Sequence, residues 1–541
     1  MSDGNGLGRR ALIRRGLQLA ALPGMTALLA ACGGTAAPAA TGTAAPAATR
    51  SVGAAAGAQT LTVANYSEIS GLDPHIRNPV ATALVTAQIF EMLFQLDAQG
   101  NLQPMLATDY KNIDPTTWQI GLRQGVTFHD GEPWNAQAFV ANIQRMFSSS
   151  VPSNASSVIP AVIPGQIDVV DDHTVRLHTK VPDAVLPHRF AAYFVAFNSP
   201  KSFQNQTEAY IMAHPAGTGP FRFVEWKKDD HLTLAANPSY WGGAPKLSQL
   251  TFRPLSDPQT RVSALLSGGV DLALVIPTES MAQIKSNPST SILTSPNGIT
   301  AYLLYLDARH GGPLANPNVR LALNYAIDRD SIIKQILAGQ ATPIQSIVTP
   351  QSFGFDSDLK PYGYQPDKAK QLLQQAGFGS GFTVPLWFAP GSSPNDSECV
   401  QAMQAQLAKV GVQVNIQTAD NASLVTQILQ GKITGMFYAG KTNLILDADY
   451  IFNDSSASAP FGQYDPLVGQ EVTLWKQEQQ AFDPTARAAL AKQVQQLLYD
   501  APNWVYLYQM NDIYGVSKAV KGWQPATDEL LTFTGTTVVK A

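Results

Sequence analysis

The sequence predicts an α/β fold in two lobes, on two observations. The chain has 541 residues, 45% of them hydrophobic, with 8 Trp, 17 Tyr and 22 Phe. A single core stops growing beyond about 250–300 residues, so this one divides into at least two. From residue 319 onwards helical and strand periodicities alternate, which is the pattern of βαβ units and a mostly parallel sheet.

The elements follow in order. Thr60-Leu61-Thr62-Val63-Ala64 reads as an opening strand, and Ala136 to Phe147 as a helix with Phe139 and Ile143 on one face and Asn135 as its N-cap. Val319 to Leu337 reads as one amphipathic helix capped at Asn316 or Asn318, and Asp367 to Ala376 as another, closed by Gly377. Phe382, Val384, Leu386 and Phe388 then alternate with the period of a strand. Cys399, Met403, Leu407 and Val410 mark a helix, Val412, Val414 and Ile416 a strand, Leu424 to Leu429 a helix, and Ile433 to Ala439 a strand. In open α/β sheets ligands bind beyond the carboxyl ends of the strands, so the residues that follow each strand are the first candidates for a site.

Composition excludes other classes. Charged residues make up 14% of the chain, with 36 Lys+Arg against 40 Asp+Glu and a net charge of −4. No basic stripe is available for phosphates, so nucleic acid is not expected as a partner. The aromatic content excludes a disordered chain.

Residues 1–31 have the form of an export signal: Arg9, Arg10, Arg14 and Arg15 precede a short apolar run from Leu17 to Ala31, broken by Pro23 and Gly24. That run is shorter than the roughly 20 apolar residues needed to span a bilayer. Leu29-Ala30-Ala31-Cys32 resembles the lipobox of bacterial lipoproteins, which implies acylation at Cys32 and a membrane anchor of more than one chain. From Gly33 to Ala58 the chain is almost wholly Gly, Ala, Thr and Pro. Such a linker has a reach of roughly 30 Å. With Cys32 acylated, Cys399 is left as a lone thiol.

Several separated segments resemble the family 5 extracellular solute-binding proteins, the dipeptide-, oligopeptide- and nickel-binding components of ABC importers. They include Gly71-Leu72-Asp73-Pro74, Leu122-Arg123-Gln124-Gly125-Val126-Thr127-Phe128-His129-Asp130-Gly131, Gly217-Thr218-Gly219-Pro220-Phe221, Asn237-Pro238-Ser239-Tyr240-Trp241-Gly242-Gly243 and Val319-Arg320-Leu321-Ala322-Leu323-Asn324-Tyr325-Ala326-Ile327-Asp328-Arg329. The resemblance implies a two-lobed, periplasmic-binding-protein-like fold with an extra subdomain in the first lobe. The first lobe is expected over 59–300 with the subdomain at 89–212, the second over 301–505, and a return to the first over 506–541. It also implies an extracytoplasmic, lipid-anchored monomeric receptor that closes on a small solute, such as a peptide, and delivers it to ABC permease subunits without enzymatic turnover. The motifs themselves read as tight turns and scaffold contacts.

Strand ends nominate Tyr66, Ser67 and Glu68 in the first lobe, and Trp387, Tyr438, Asn443, Asp447 and Asp449 in the second, as ligand-binding residues. The resemblance implies that Asp447 or Asp449 pairs with a peptide α-amino group, although Ala448 stands where the family often has proline. All eight histidines lie at or before His310, so direct metal ligation is not expected, and neither is a cofactor. Gly435 to Thr442 satisfies the P-loop expression, but Phe437 and Tyr438 occupy its middle and the run reads as a strand, which argues against nucleotide binding. A secreted hydrolase is the alternative. It would need a zinc or nucleophile motif, and neither H-E-x-x-H nor G-x-S-x-G occurs. The sequence leaves the solute open among peptide, sugar, opine and metal chelate.

Overall fold

The computed structural model describes residues 59–539 apart from 77–79, 98–99, 154, 296–297, 457–458, 460, 465 and 527–528. The expected export signal, Cys32 and the linker therefore lie outside the described residues.

The first lobe is built on a seven-stranded sheet in the order Thr290–Ser295, Asp512–Ser517, Leu272–Ala273, Thr60–Asn65, Gln249–Pro254, His231–Ala236, Phe221–Lys227. The second has six strands in the order Ala341–Pro343, Trp504–Met510, Thr300–Leu306, Met436–Thr442, Phe382–Phe388, Val412–Thr418. Between residues 107 and 179 a four-stranded antiparallel sheet forms the inserted subdomain. Its core is led by Trp118, Trp134, Phe139 and Phe190.

Both sheets are mixed, where a mostly parallel arrangement was expected. Thr60–Asn65 runs parallel to Gln249–Pro254 and Leu272–Ala273, and Phe382–Phe388 runs parallel to both of its neighbours. Strands that carry the chain between lobes arrive from the opposite direction and pair antiparallel: Thr300–Leu306 does so with both of its neighbours. In the second lobe one face of the sheet packs Leu304, Leu386 and Tyr438 beneath one set of helices, and the other packs Leu303, Tyr305 and Phe437 beneath a second set. Coverage on both faces explains why every residue of Trp504–Met510 is buried.

Two of the expected boundaries are corrected. Trp504–Met510 pairs throughout with the second sheet, so the return crossing falls at Asn511 and not at 505/506. The helix expected over 319–337 is two helices, Pro317–Ala326 capped by Asn316 and Arg329–Gln335 capped by Asp328. The buried Arg329 guanidinium separates them by taking the carbonyls of Asn324 and Ile327, which leaves Asp328 free to start a new turn.

The two crossings run side by side. Gly298 N donates to the Met510 carbonyl at 2.9 Å, and a Cβ on Gly298 would lie 2.9 Å from Asp512 Oδ2 and 3.0 Å from that carbonyl. Only glycine fits there. Among the described residues no helix is long and apolar enough to cross a membrane.

Candidate functional site

The carboxyl end of Thr60–Asn65 delivers Tyr66, and the strand after the second crossing opens with Asp512. The C-terminal segment adds Glu529, and the inserted subdomain adds Tyr193. From the second lobe comes Tyr302, stacked 5.7 Å from Tyr438 and lying 5.7 Å from Tyr508. Hydroxyl contacts tie this cluster together, Tyr438 to Tyr508 at 3.0 Å and Ser393 to Tyr438 at 3.4 Å.

These groups act on one another electrostatically. Burial and then the charge of Glu529 push up the hydroxyls of Tyr66 and Tyr302, with Asp512 adding to both. Tyr193 is raised by burial, by Tyr450 and by Glu529. Asp512 is itself held well above the usual carboxylate range by burial and by Glu529. Tyr66, Tyr193, Tyr302 and Asp512 nevertheless keep some accessible surface.

The lobes meet in direct contacts. Arg189 of the subdomain pairs with Asp449, Ala184 N donates to the Gln479 carbonyl at 2.7 Å, and Asn453 Nδ2 donates to the Ser157 carbonyl at 3.0 Å. On the other side Thr278 Oγ1 donates to Asn395 Oδ1 at 2.8 Å.

The nominated residues divide. Tyr438 belongs to the aromatic group just described, and Tyr66 packs against the first-lobe core. Ser67 is half-buried, its hydroxyl donating to the Glu68 carbonyl at 3.2 Å. The Glu68 carboxylate accepts from Trp226 Nε1, Ile69 N and Asp229 N, and so fixes a hairpin. Trp387 packs on the sheet face opposite Tyr438, with its indole nitrogen unpartnered. Asn443 is buried, donating to Ser352 and to the Asp447 carbonyl. Neither aspartate offers the open charge expected of an amine ligand. Asp447 caps the helix Ala448–Asp454 and takes a two-pronged contact from Arg487 at 2.7 and 2.9 Å. Asp449 is held by Arg189 and by Trp475 Nε1 at 2.8 Å. Their place is in the joint between lobes.

Sequence reading missed Asp512, Glu529, Tyr193 and Tyr302. Only the first carries a signal, since it opens a strand at a lobe crossing, and the expected boundary six residues too early concealed it. The P-loop expression is absorbed by Met436–Thr442, a strand paired along its whole length with Thr300–Leu306 and at Met436 and Phe437 with Phe382–Phe388, so it has no loop to wrap a phosphate. His129 lies buried against the Gly219 carbonyl at 3.0 Å, and burial pulls its imidazole down to about 4. Among the described residues no group of three His, Cys, Asp or Glu side chains is arranged to hold a metal ion.

Two α/β lobes joined by paired crossings define a hinged solute-binding protein. The sequence model of the bacterial extracellular solute-binding proteins, family 5, matches residues 101–463, and the chain belongs to that family of transport receptors, which are not enzymes. It is 31% identical over 492 residues to a glutathione-binding protein of Pectobacterium atrosepticum, covering 88% of this chain and 93% of that one. Among solved structures it resembles the periplasmic binding protein DppA of Helicobacter pylori in complex with the peptide STSA. That match has a TM-score of 0.78 and 26% identity, over 89% of this chain and 98% of the other. NikA of Brucella suis, in complex with Fe(III)-EDTA, has a TM-score of 0.80 at 24% identity over 88% of this chain and 99% of that one, a likeness of fold.

Proposed function

We propose that the protein is the receptor of an ABC importer for a short peptide or peptide-like solute, which it encloses between its lobes and passes to the permease. The observation that carries this reading is the pair of α/β lobes joined by side-by-side crossings, with Tyr66 and Tyr193 of the first lobe and Tyr302 of the second all raised by burial and by the same Glu529 charge. Aromatic side chains suit planar amide groups and leave side-chain identity loosely specified. The glutathione-binding relative and the peptide-bound structural neighbour support the same class. Within this reading Tyr66 and Tyr438 contribute to the walls, while Asp447 and Asp449 brace closure. The protein works as a monomer, tethered through acylated Cys32 by a linker of roughly 30 Å reach.

The test is native mass spectrometry of protein freshly purified from its own host. A co-purified peptide-sized ligand, with compaction of the unloaded protein on its re-addition seen by X-ray scattering, is the expected outcome. Turnover of that ligand to products would replace the receptor with the hydrolase alternative. For the tether, Cys32→Ser should release the protein from the membrane fraction, and an unmodified Cys32 in the membrane-extracted protein would contradict the anchor.

A further inference from the structure

The joint between the inserted subdomain and the second lobe is built from charge. The subdomain brings Asp183 and Arg189, paired at 3.2 Å, and the second lobe brings Asp447, Asp449, Glu478 and Arg487. Arg189 crosses to Asp449, which also accepts from Trp475 Nε1 at 2.8 Å. None of these six charged side chains is more than 7% exposed.

Four carboxylates thus share two guanidiniums, and the shortfall falls on Glu478. Arg487 gives both arms to Asp447, at 2.7 and 2.9 Å, and one contact of 2.6 Å to Glu478 Oε1. Asp183 has Arg189 and the Val185 amide at 3.0 Å. Glu478 Oε2 is buried with no hydrogen-bond partner. A charge spread onto that oxygen is costly, and a proton on the carboxyl removes it. Burial, then Asp449 and Asp447, push this carboxyl well above its ordinary 4.5.

The subdomain covers the end of the helix Gln470–Gln480 that carries Glu478. Ala184 N donates to the carbonyl of Gln479 at 2.7 Å, and Phe482 lies 5.9 Å from the Trp118 ring. Separating the lobes takes away this cover and removes Asp183 and Arg189 together, a pair of no net charge. Asp447, Asp449 and Arg487 stay behind with Glu478. The burial that favours the proton is therefore what opening changes most. His188 of the subdomain is half-buried in the same joint, where Asp447 and Arg487 act on it.

Resting on the receptor reading, we infer that this joint is a proton-linked latch: the lobes close by taking a proton onto Glu478 and open by releasing it, so solute is held more tightly at neutral than at alkaline pH. In the open form Glu478 ionises as an ordinary carboxyl near 4.5, and in the closed form it keeps its proton above that value. His188 works in the opposite sense, because burial in the closed joint lowers its imidazole from 6.5 and closure sheds its proton in acid. Between 4.5 and 6.5 the two exchanges offset, and above 6.5 Glu478 acts alone. Uptake of one proton there lowers affinity by up to roughly tenfold for each unit of rising pH.

The test is calorimetry of the unloaded protein with glutathione and with tri-alanine at pH 7.0 and 8.0, in two buffers of different ionisation enthalpy, which counts the protons taken up on binding. The expected result is a count close to one proton higher in the wild type than in Glu478→Gln, whose amide mimics the protonated acid. The wild-type Kd should also rise several-fold more between the two pH values. The peptides' own protons are common to both proteins and cancel in the difference. Circular dichroism checks folding, and Glu478→Met replaces an amide variant that does not fold. Equal proton counts in wild type and variant overturn the latch and leave the peptide receptor standing. If neither peptide binds, the peptide reading falls and X-ray scattering of the unloaded protein decides the latch. A larger radius of gyration at pH 8.0 than at pH 7.0, seen in the wild type and not in the variant, upholds it, and equal radii overturn it.

Discussion

Arg189 of the inserted subdomain and Asp449 of the second lobe form an ion pair across the lobe interface, with neither side chain exposed to solvent. Around it Arg189 also reaches Asp183 at 3.2 Å, and Arg487 joins Asp447 at 2.7 Å to Glu478 at 2.6 Å. These four carboxylates outnumber the two arginines. Burial and the neighbouring aspartates accordingly push Glu478 well up.

Removing one partner of a buried pair costs about 3–5 kcal/mol, because the other charge is left unpaired. This pair exists only while the lobes touch, so Arg189→Met should shift the protein toward the open form. Solute binding is expected to weaken by roughly two orders of magnitude or more, with a larger radius of gyration by X-ray scattering. Unchanged affinity and scattering would show that the pair contributes nothing to closure.

Glu91 predicts a pH dependence of stability. Burial pushes its carboxyl from 4.5 up to about 7, against the donors Trp241, Thr218 and Tyr240. The folded state therefore holds a proton that the unfolded chain releases between those values. The stabilisation is complete below about 4.5 and is lost as pH rises through 7, an effect on the order of 3 kcal/mol. Urea denaturation at pH 5 and pH 8 should show this slope in the wild type and a flatter one in Glu91→Gln.

Lys441 is buried beside a cavity of about 10 Å³ lined in part by Tyr305, Phe461 and Trp504. Burial pulls its ammonium down to about 7. The unfolded chain binds the proton more tightly, so stability should rise with pH above 7. Lys441→Met keeps the apolar stem without the charge and should raise the melting temperature at neutral pH by several degrees. A lower melting temperature would mean that the ammonium makes a contact worth more than its burial.

Cys399 is fully buried, and burial pushes its thiol up to about 11. The thiolate is the reactive form, so the native protein should resist a thiol reagent at pH 8 for hours and react at once in denaturant. Rapid native labelling would show that the helix Asp396–Ala408 opens readily.

Local pattern reached far in the second lobe. The strand Phe382–Phe388 and the helices capped by Asn135 and ended at Gly377 were legible because period and capping chemistry are properties of neighbouring residues. The break at Asp328 was not, since it depends on where the Arg329 guanidinium finds carbonyls. The rule about strand ends nominated Tyr66. Asp447 and Asp449 were placed at the site by the same rule, and their arginine partners lie 40 and 260 residues away.

By itself, the sequence determined the α/β class, because burial pattern and turn chemistry are written residue by residue, and through its motifs the resemblance that implied a two-lobed fold and the family. Only the tertiary structure decided which carboxylates are answered by arginine and which, like Asp512, keep a buried oxygen without a hydrogen-bond partner. A carboxylate's role is set by the charges within a few ångströms of it, and here the fold gathers those from segments hundreds of residues apart.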